Sequence, residues 1–205
     1  MTTIGPVTRA VCVGAVLCLG AAQQRARAQE ADWPCQQRLI PKLEAGQMWS
    51  GPPLPAVDQP RPELQVTVRR LIDVKLPPDS VTAEVKSFAA QQPEAGRAQA
   101  LSELFAVSLD WLNDERDVKI RGIKRYAANQ KAMADRIVAE TRALSKLQAQ
   151  AGADATGVAD LETAKQWDMR IYGDRQRSLS LVCDQPVEIE QRAFTLARVI
   201  QEQLP

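Results

Sequence analysis

The chain has 205 residues and not one of them is histidine. A serine or cysteine nucleophile activated by histidine therefore cannot be assembled from this chain alone. Histidine-ligated zinc, haem and helical Glu-x-x-His di-iron sites are excluded for the same reason. Aromatic residues make up only 4% of the chain, and no glycine-rich phosphate loop occurs. We therefore expect a non-enzymatic protein with no catalytic residue and no cofactor.

The first 28 residues have the pattern of a secretory signal. An apolar run without charge covers residues 10–22, and the small-x-small pattern at 26–28 is one that signal peptidase accepts. The run is too short to span a bilayer, which needs about 20 apolar residues. Cys12 and Cys18 lie inside the run and leave with it. We expect removal of residues 1–28, export to the periplasm and no transmembrane segment in the mature chain.

The charge balance after the leader is nearly neutral. Removing it takes away three arginines and no acid, so 23 basic residues face 25 acidic ones and the net charge is −2. Binding to nucleic acid typically needs a strongly basic face, so no nucleic acid partner is expected. Residues 29–205 are long enough for one ordinary domain. We divide them into an N-terminal segment with short helices over 29–96 and two long arms over 97–150 and 157–204.

Cys35 and Cys183 are the two cysteines that remain behind the leader. In an oxidising compartment such a pair is expected to form a disulfide. Closing so long a loop stabilises a fold by roughly 4–5 kcal/mol in the chain-entropy model. A redox-active role is the alternative, but it usually needs a Cys-x-x-Cys motif, which is absent.

The N-terminal segment reads as an extended connector followed by short helices. Prolines stiffen residues 52–62, and Pro62 suits the first turn of a helix. A strand is the alternative for residues 64–68, where apolar and polar residues alternate. A second short helix is expected to be capped by Asp79 or Ser80.

Residues 97–150 contain no proline and a single glycine, Gly122, where a bend is expected. Their apolar residues recur at alternating steps of three and four, which is typical of a coiled-coil seam with a few polar interruptions. The predicted seam consists of Phe105, Leu109, Leu112, Arg116, Lys119, Ile123, Tyr126, Gln130, Met133, Ile137, Glu140, Leu144 and Leu147.

A second amphipathic pattern occupies residues 157–204. Its predicted apolar stripe comprises Val158, Leu161, Ala164, Trp167, Ile171, Leu179 and Val182. Pro186 interrupts the pattern, so we expect a kink or a short break at that position.

Two long helices joined by a short loop near Asp154 should fold back antiparallel. Equal rise along both arms places Cys183 opposite Lys124, so the bridge to Cys35 fastens the N-terminal segment to the middle of the hairpin. The predicted fold is all-α, with a long antiparallel, coiled-coil-like hairpin whose base packs against shorter N-terminal helices and which carries one disulfide.

The distal half of this hairpin, about 126–181, has nothing in the chain left to cover it. A bare two-helix hairpin buries too little apolar surface to offset the entropy of ordering it. We therefore expect a protein partner or self-association, through side chains of the kind that anchor interfaces. The possible partner surface comprises Tyr126, Trp167, Ile171 and Tyr172. In the alternative interpretation Trp167 fills the seam opposite Glu140.

Two charged clusters are further candidates. The densest basic cluster, a possible anion-binding patch, comprises Arg116, Lys119, Arg121, Lys124 and Arg125. In the alternative interpretation, neighbouring acids neutralise it by pairing along and across the hairpin. A group at helical spacing with the oxygen ligands of a hard-cation site comprises Asp110, Asn113, Asp114 and Asp117. Its alternative is a solvated helix face.

Three segments carry a resemblance. They are Asp32-Trp33-Pro34-Cys35-Gln36-Gln37-Arg38, Trp49-Ser50-Gly51-Pro52 and Cys183-Asp184-Gln185-Pro186-Val187-Glu188-Ile189-Glu190-Gln191-Arg192. Together they resemble a group of uncharacterised exported proteins of proteobacteria, over most of the mature chain. The resemblance implies a location in the cell envelope and transfers no catalytic residue.

Three functional hypotheses follow. The first is a periplasmic helical scaffold or accessory protein that acts through protein–protein contacts of its hairpin. The second is a chaperone-like or small-ligand-binding module that uses the groove between base and hairpin. The third is a metal-binding protein built on carboxylates.

Overall fold

The computed structural model describes residues 33–150, 152 and 154–205. The predicted leader, residues 1–28, lies outside this part of the chain. Over the described residues the fold is all-helical and contains no strand. Besides a single 3-10 turn at Ala45–Gln47, its helices are α1 (Pro62–Leu71), α2 (Pro78–Ala90), α3 (Glu94–Gln148) and α4 (Ala155–Gln201). The predicted all-α hairpin with shorter N-terminal helices is confirmed.

Prolines begin both short helices. Pro62 starts α1, so residues 64–68 are helical and the strand alternative is wrong. Pro78 starts α2, which places Asp79 and Ser80 inside its first turn rather than at its cap. The fixed backbone angle of proline suits the first helical position, and its missing N–H costs nothing there. The predicted side-chain cap is therefore replaced by a proline start.

The hydrophobic core lies at one end of the hairpin, where α1 and α2 pack against α3 and α4. Helix α3 contributes core residues between Leu101 and Leu112, and α4 contributes those between Ile189 and Ile200. Over the described chain no member of this core falls between Leu112 and Ile189. Each fully buried aliphatic or aromatic side chain contributes about 1.5–3 kcal/mol. The stability of the fold is thus concentrated in this base.

The seam predicted on α3 is the face that the helix turns inward. All of its positions from Phe105 to Leu147 are buried or half-buried, whereas Val118 and Val138 beside it are exposed. Helix α3 is continuous through Gly122. Periodicity alone was sufficient to predict the inward face of α3, because apolar residues at alternating steps of three and four follow one side of an α-helix.

The stripe predicted on α4 is partly wrong. Ala164, Trp167 and Ile171 are exposed, whereas Asp168 and Tyr172 are half-buried. Arg136 of α3 and Asp168 of α4 form an ion pair, so a polar residue of α4 lies on the side that faces α3. A polar seam does not require the apolar side chains of α4 to face α3.

Helix α4 continues through Pro186 as one helix, so the expected short break does not occur. Pro186 is buried, and its carbonyl oxygen accepts a hydrogen bond of 2.5 Å from Nη1 of Arg116. Proline removes only its own N–H from the helical hydrogen-bond pattern, and its carbonyl is available to Arg116.

The turn between the two long helices is closed by a side-chain cap. The Asp154 carboxylate accepts from the backbone N–H groups of Thr156 and Gly157, both at 3.1 Å. An aspartate at this position satisfies N–H groups that the helix leaves unpaired. Gly152 has a φ of +81°, in the left-handed region that favours glycine.

None of the described helices combines the length and apolar character that crossing a membrane requires.

Candidate interaction surfaces

Residues 33–44, here called the strap, cross the middle of the hairpin. Cys35 and Cys183 form a disulfide with a Cα–Cα distance of 5.6 Å, which confirms the predicted bridge. Beside it, Nε2 of Gln37 donates to the backbone carbonyl of Cys183. The indole N–H of Trp33 in turn donates to the carbonyl of Gln37 at 2.7 Å. The start of the strap is therefore fastened to α4 covalently and by hydrogen bonds.

Arg116 fastens the same strap to α3. Its side chain is buried, with the residue only 3% exposed, and Nε and Nη2 donate to the carbonyl of Ile40 at 3.1 and 2.9 Å. Nη2 also lies 3.8 Å from a carboxylate oxygen of Glu190. Burial lowers the pKa of Arg116, and the charge of Glu190 partly opposes that shift. Arg116 is therefore an interior residue. Its assignment from the sequence to an exposed anion-binding patch is wrong.

The other residues of the predicted patch do not present one free basic surface either. Arg121 is paired with Asp117 one helical turn away. Lys119 and Lys124 are half-buried, whereas Arg125 is exposed. On the helix the cluster divides, because Arg116 and Lys119 lie on the seam side, whereas Arg121, Lys124 and Arg125 share another side.

The predicted cation cluster is also divided. The Asn113 amide oxygen accepts from the backbone N–H of Leu43 at 2.8 Å, and its amide nitrogen donates to the Leu43 carbonyl at 3.1 Å. Asn113 is thus used to hold the strap, while Asp117 pairs with Arg121. In the described part of the chain no three acidic or cysteine side chains are grouped so that they could hold a metal ion. The carboxylate hypothesis has no geometric support here.

The distal half of the seam combines buried apolar residues, such as Met133 and Leu144, with polar ones. Nε2 of Gln130 lies 3.3 Å from both the carbonyl of Tyr172 and Oε1 of Gln176. Two atoms, Oε1 of Gln130 and Oε2 of Glu140, are buried without a hydrogen-bond partner. Buried polar atoms without partners cost free energy, so these two oxygen atoms weaken the packing of the distal seam.

The predicted partner surface splits into two pairs. Tyr126 and Tyr172 are half-buried, and the Tyr126 hydroxyl donates to the carbonyl of Arg175 at 2.6 Å. Trp167 and Ile171 are 59% and 37% exposed. The interpretation that Trp167 fills the seam opposite Glu140 is therefore wrong.

Further apolar side chains are exposed on the same half of the hairpin. Val138, Met169 and Leu181 join Trp167 and Ile171, so five of the eight exposed large apolar side chains in the described chain lie within 126–181. Trp167 and Ile171, four residues apart, share one side of α4, whereas Met169 lies on another side and Val138 is on α3.

A separate concave surface lies at the base, between the strap and α4. It has a volume of about 570 Å³, and its walls include Trp33 and Ile40 of the strap and Val187 and Phe194 of α4. A second cavity of about 420 Å³ shares Phe194 and Thr195 with the first. Both volumes fall within the range of about 300–1,000 Å³ that is usual for small-molecule sites.

The chain matches no protein-family model, and comparison with curated proteins and with solved structures gives no match. This result is consistent with the resemblance to exported proteobacterial proteins from which no function is transferable. The fold and its surfaces define a helical hairpin protein fastened by a disulfide, and its function is inferred from its geometry alone.

Proposed function

We propose that this protein is an exported, non-enzymatic helical scaffold whose distal hairpin, residues 126–181, binds another protein. One observation carries the proposal. The core described above ends at Leu112 on α3 and at Ile189 on α4, and beyond it Trp167 and Ile171 are exposed to solvent. The part of the hairpin outside the core thus carries the largest exposed apolar side chain, that of Trp167.

The polar seam supports the same proposal. Gln130 and Glu140 occupy inward positions with unpaired oxygen atoms, which lowers the free energy that the two helices gain from packing against each other in this region. A third amphipathic helix packed along α4 would bury Trp167 and convert the hairpin into a small bundle. Tryptophan is enriched among the residues that dominate binding energy. The proposed occupant is therefore a helical segment of a partner protein.

Export is part of the proposal. Cys35 and Cys183 form a disulfide. Disulfides persist in oxidising compartments and are rare in the cytosol. Together with the signal-like pattern of residues 1–28, this bond supports processing of the leader and function in the periplasm.

Site-specific photo-crosslinking tests the proposal. A photoreactive side chain at Arg170, whose guanidinium carbon lies 6.0 Å from the Trp167 ring centroid, should give a discrete adduct in cells. The adduct should fall at least fivefold in the Trp167→Ala/Ile171→Ser double variant. The control is Val66→Ser, because Val66 is 51% exposed but lies on α1 in the base.

Two outcomes are informative about the partner. An adduct of twice the mass of the chain would make the partner a second copy rather than another protein. A monomer by light scattering, with a distal hairpin that resists proteolysis and gives no adduct, would contradict the proposal.

A further inference from the structure

The strap is held to the hairpin in two different ways along its length. Its end, residues 39–44, is anchored in the base, where Leu43 is 1% exposed. Asn113 forms two hydrogen bonds with the backbone of Leu43, and Arg116 forms two with the carbonyl of Ile40. None of these contacts involves the disulfide, so they hold the end of the strap independently of it.

The strap start, residues 33–37, has no such anchor. None of its side chains is buried, and none belongs to the hydrophobic core. Its described covalent and polar contacts with the hairpin are the Cys35–Cys183 disulfide and one hydrogen bond, which Gln37 donates to the carbonyl of Cys183. Breaking the disulfide would leave the strap start with that single hydrogen bond, and one hydrogen bond contributes little net stability.

The strap start covers one side of α3 where the distal hairpin begins. Lys124 and Lys131 are seven residues apart and therefore share a side of α3. Lys131 is exposed, whereas Lys124 is half-buried. Both line a cavity of about 500 Å³ together with Trp33 and Pro34, and this cavity extends along α3 to Asp135. We attribute the burial of Lys124 to the strap start.

The disulfide lies where a reductant can reach it. Both of its cysteines line a cavity of about 330 Å³. Cys35 is half-buried, whereas Cys183 is only 6% exposed. Because a thiolate must reach the sulfur atom that it attacks, Cys35 is the more accessible target. The chain carries no Cys-x-x-Cys motif, so the reductant has to be another molecule.

We propose that the strap start is a redox-released cover of the distal hairpin, which regulates the binding of the partner and so rests on the proposed function. The reductant is a dithiol of another envelope protein. One of its thiolates attacks Sγ of Cys35, and Cys183 leaves as a thiolate that takes up a proton. The second thiol of the reductant then displaces Cys35 as a thiol.

This exchange is balanced. The dithiol becomes a disulfide, and the chain gains two electrons and two protons as two thiols form. Residues 33–37 then leave the hairpin while the base stays folded. The side of α3 that carries Lys124 becomes accessible to the partner helix.

Dithiothreitol, a small dithiol, tests the release without a partner. In native buffer it should reduce the mature, bridged protein while circular dichroism shows unchanged helicity. After the thiols are blocked with iodoacetamide, the rate at which N-hydroxysuccinimidyl acetate modifies Lys124 should be at least threefold higher than in the bridged protein. Lys165 is the matched control and should react at the same rate in both, because it is also half-buried but lines neither cavity.

The variant Cys35→Ser/Cys183→Ser should show the fast modification of Lys124 without any reductant or blocking group. Should this variant fail to fold, the reduced and bridged forms of the unaltered protein decide the question. Reduction that requires denaturant, loss of helicity on reduction, or an unchanged rate at Lys124 would overturn the proposal.

Photo-crosslinking tests the effect on the partner. A photoreactive side chain at Lys124 should give at least threefold more adduct in the Cys35→Ser/Cys183→Ser background than in the bridged protein. Equal amounts of adduct would mean that the cover does not control binding. Faster modification of Lys124 without any adduct from Arg170 would refute the scaffold function but not the release of the strap, so the two failures are distinguishable.

Discussion

Two nitrogen atoms of the Arg116 guanidinium, Nε and Nη2, donate to the single carbonyl oxygen of Ile40, 76 residues away in the chain. A third donor, Nη1, reaches the carbonyl of Pro186 at 2.5 Å. One buried side chain thus joins the strap, α3 and α4 at the level where Pro186 interrupts the helical pattern. The middle of the hairpin is held by this guanidinium and by the disulfide together.

Replacement of Arg116 should destabilise the protein strongly. Arg116→Met keeps much of the side-chain volume but leaves the carbonyls of Ile40 and Pro186 without their donor. We expect the free energy of unfolding to fall by about 2–4 kcal/mol, as is typical when buried polar groups lose their partners. Urea denaturation measures the loss.

The control for that variant is Arg121→Met, which removes an exposed ion pair with Asp117. Exposed pairs contribute only about 0–1 kcal/mol, so the change should be small. Equal losses for the two variants would mean that Arg116 does not hold the interior together.

Removal of the disulfide should loosen the strap and lower global stability. For Cys35→Ser/Cys183→Ser, we expect a loss of about 2–5 kcal/mol. Limited proteolysis should cut the strap near Gln37 earlier than in the bridged protein. Alkylation and mass measurement of protein recovered from the cell envelope provide the check, because free thiols at both positions would contradict the bridge.

Filling the polar seam should stabilise the distal hairpin. Oε2 of Glu140 is buried without a hydrogen-bond partner, so Glu140→Leu removes an unpaired polar atom from the seam. We expect a gain of about 1–2 kcal/mol in local stability. Hydrogen exchange should slow on both arms of the distal hairpin. The control is Asp135→Leu, at an exposed position that forms an ion pair with Lys131, and it should give no gain in local stability. Equal slowing of hydrogen exchange in both variants would argue that the seam is not the cause.

A side chain at Gly51 should disturb the base. A Cβ atom there would lie 2.6 Å from the Trp49 ring and 2.9 Å from Leu204, closer than such atoms approach. Trp49 is itself fixed, because its ring stacks on Phe105 with a centroid distance of 4.6 Å. Gly51→Ala should therefore cost about 1–3 kcal/mol, as overpacking does. Gly46→Ala is the control, since no atom lies within 4 Å of that Cβ; thermal unfolding that is equal in both variants would disprove the close approach.

Much of the fold follows from local patterns. The seam of α3, from Phe105 to Leu147, could be predicted because spacing at alternating steps of three and four defines one side of a helix. The Cys35–Cys183 bridge could be predicted because only that pair lies outside the predicted leader. The antiparallel hairpin followed from a short turn between two long helical patterns.

The surfaces did not follow from the same patterns. Trp167 continued the apolar stripe of α4 in the sequence, yet it is exposed, and its neighbour Asp168 pairs with Arg136 of α3 instead. Arg116 belonged to a basic cluster in the sequence, but the carbonyls of Ile40 and Pro186 that bind it come from distant parts of the chain.

The amino-acid sequence by itself determined the helices, their antiparallel return and the covalent bridge, because these depend on periodicity, turn residues and the number of cysteines. Only the tertiary structure decided which side chains of α4 face α3, that Arg116 is interior and that Phe194 stands uncovered between two cavities. The physical reason is that burial and pairing depend on partners far along the chain. Local spacing carries no information about those partners.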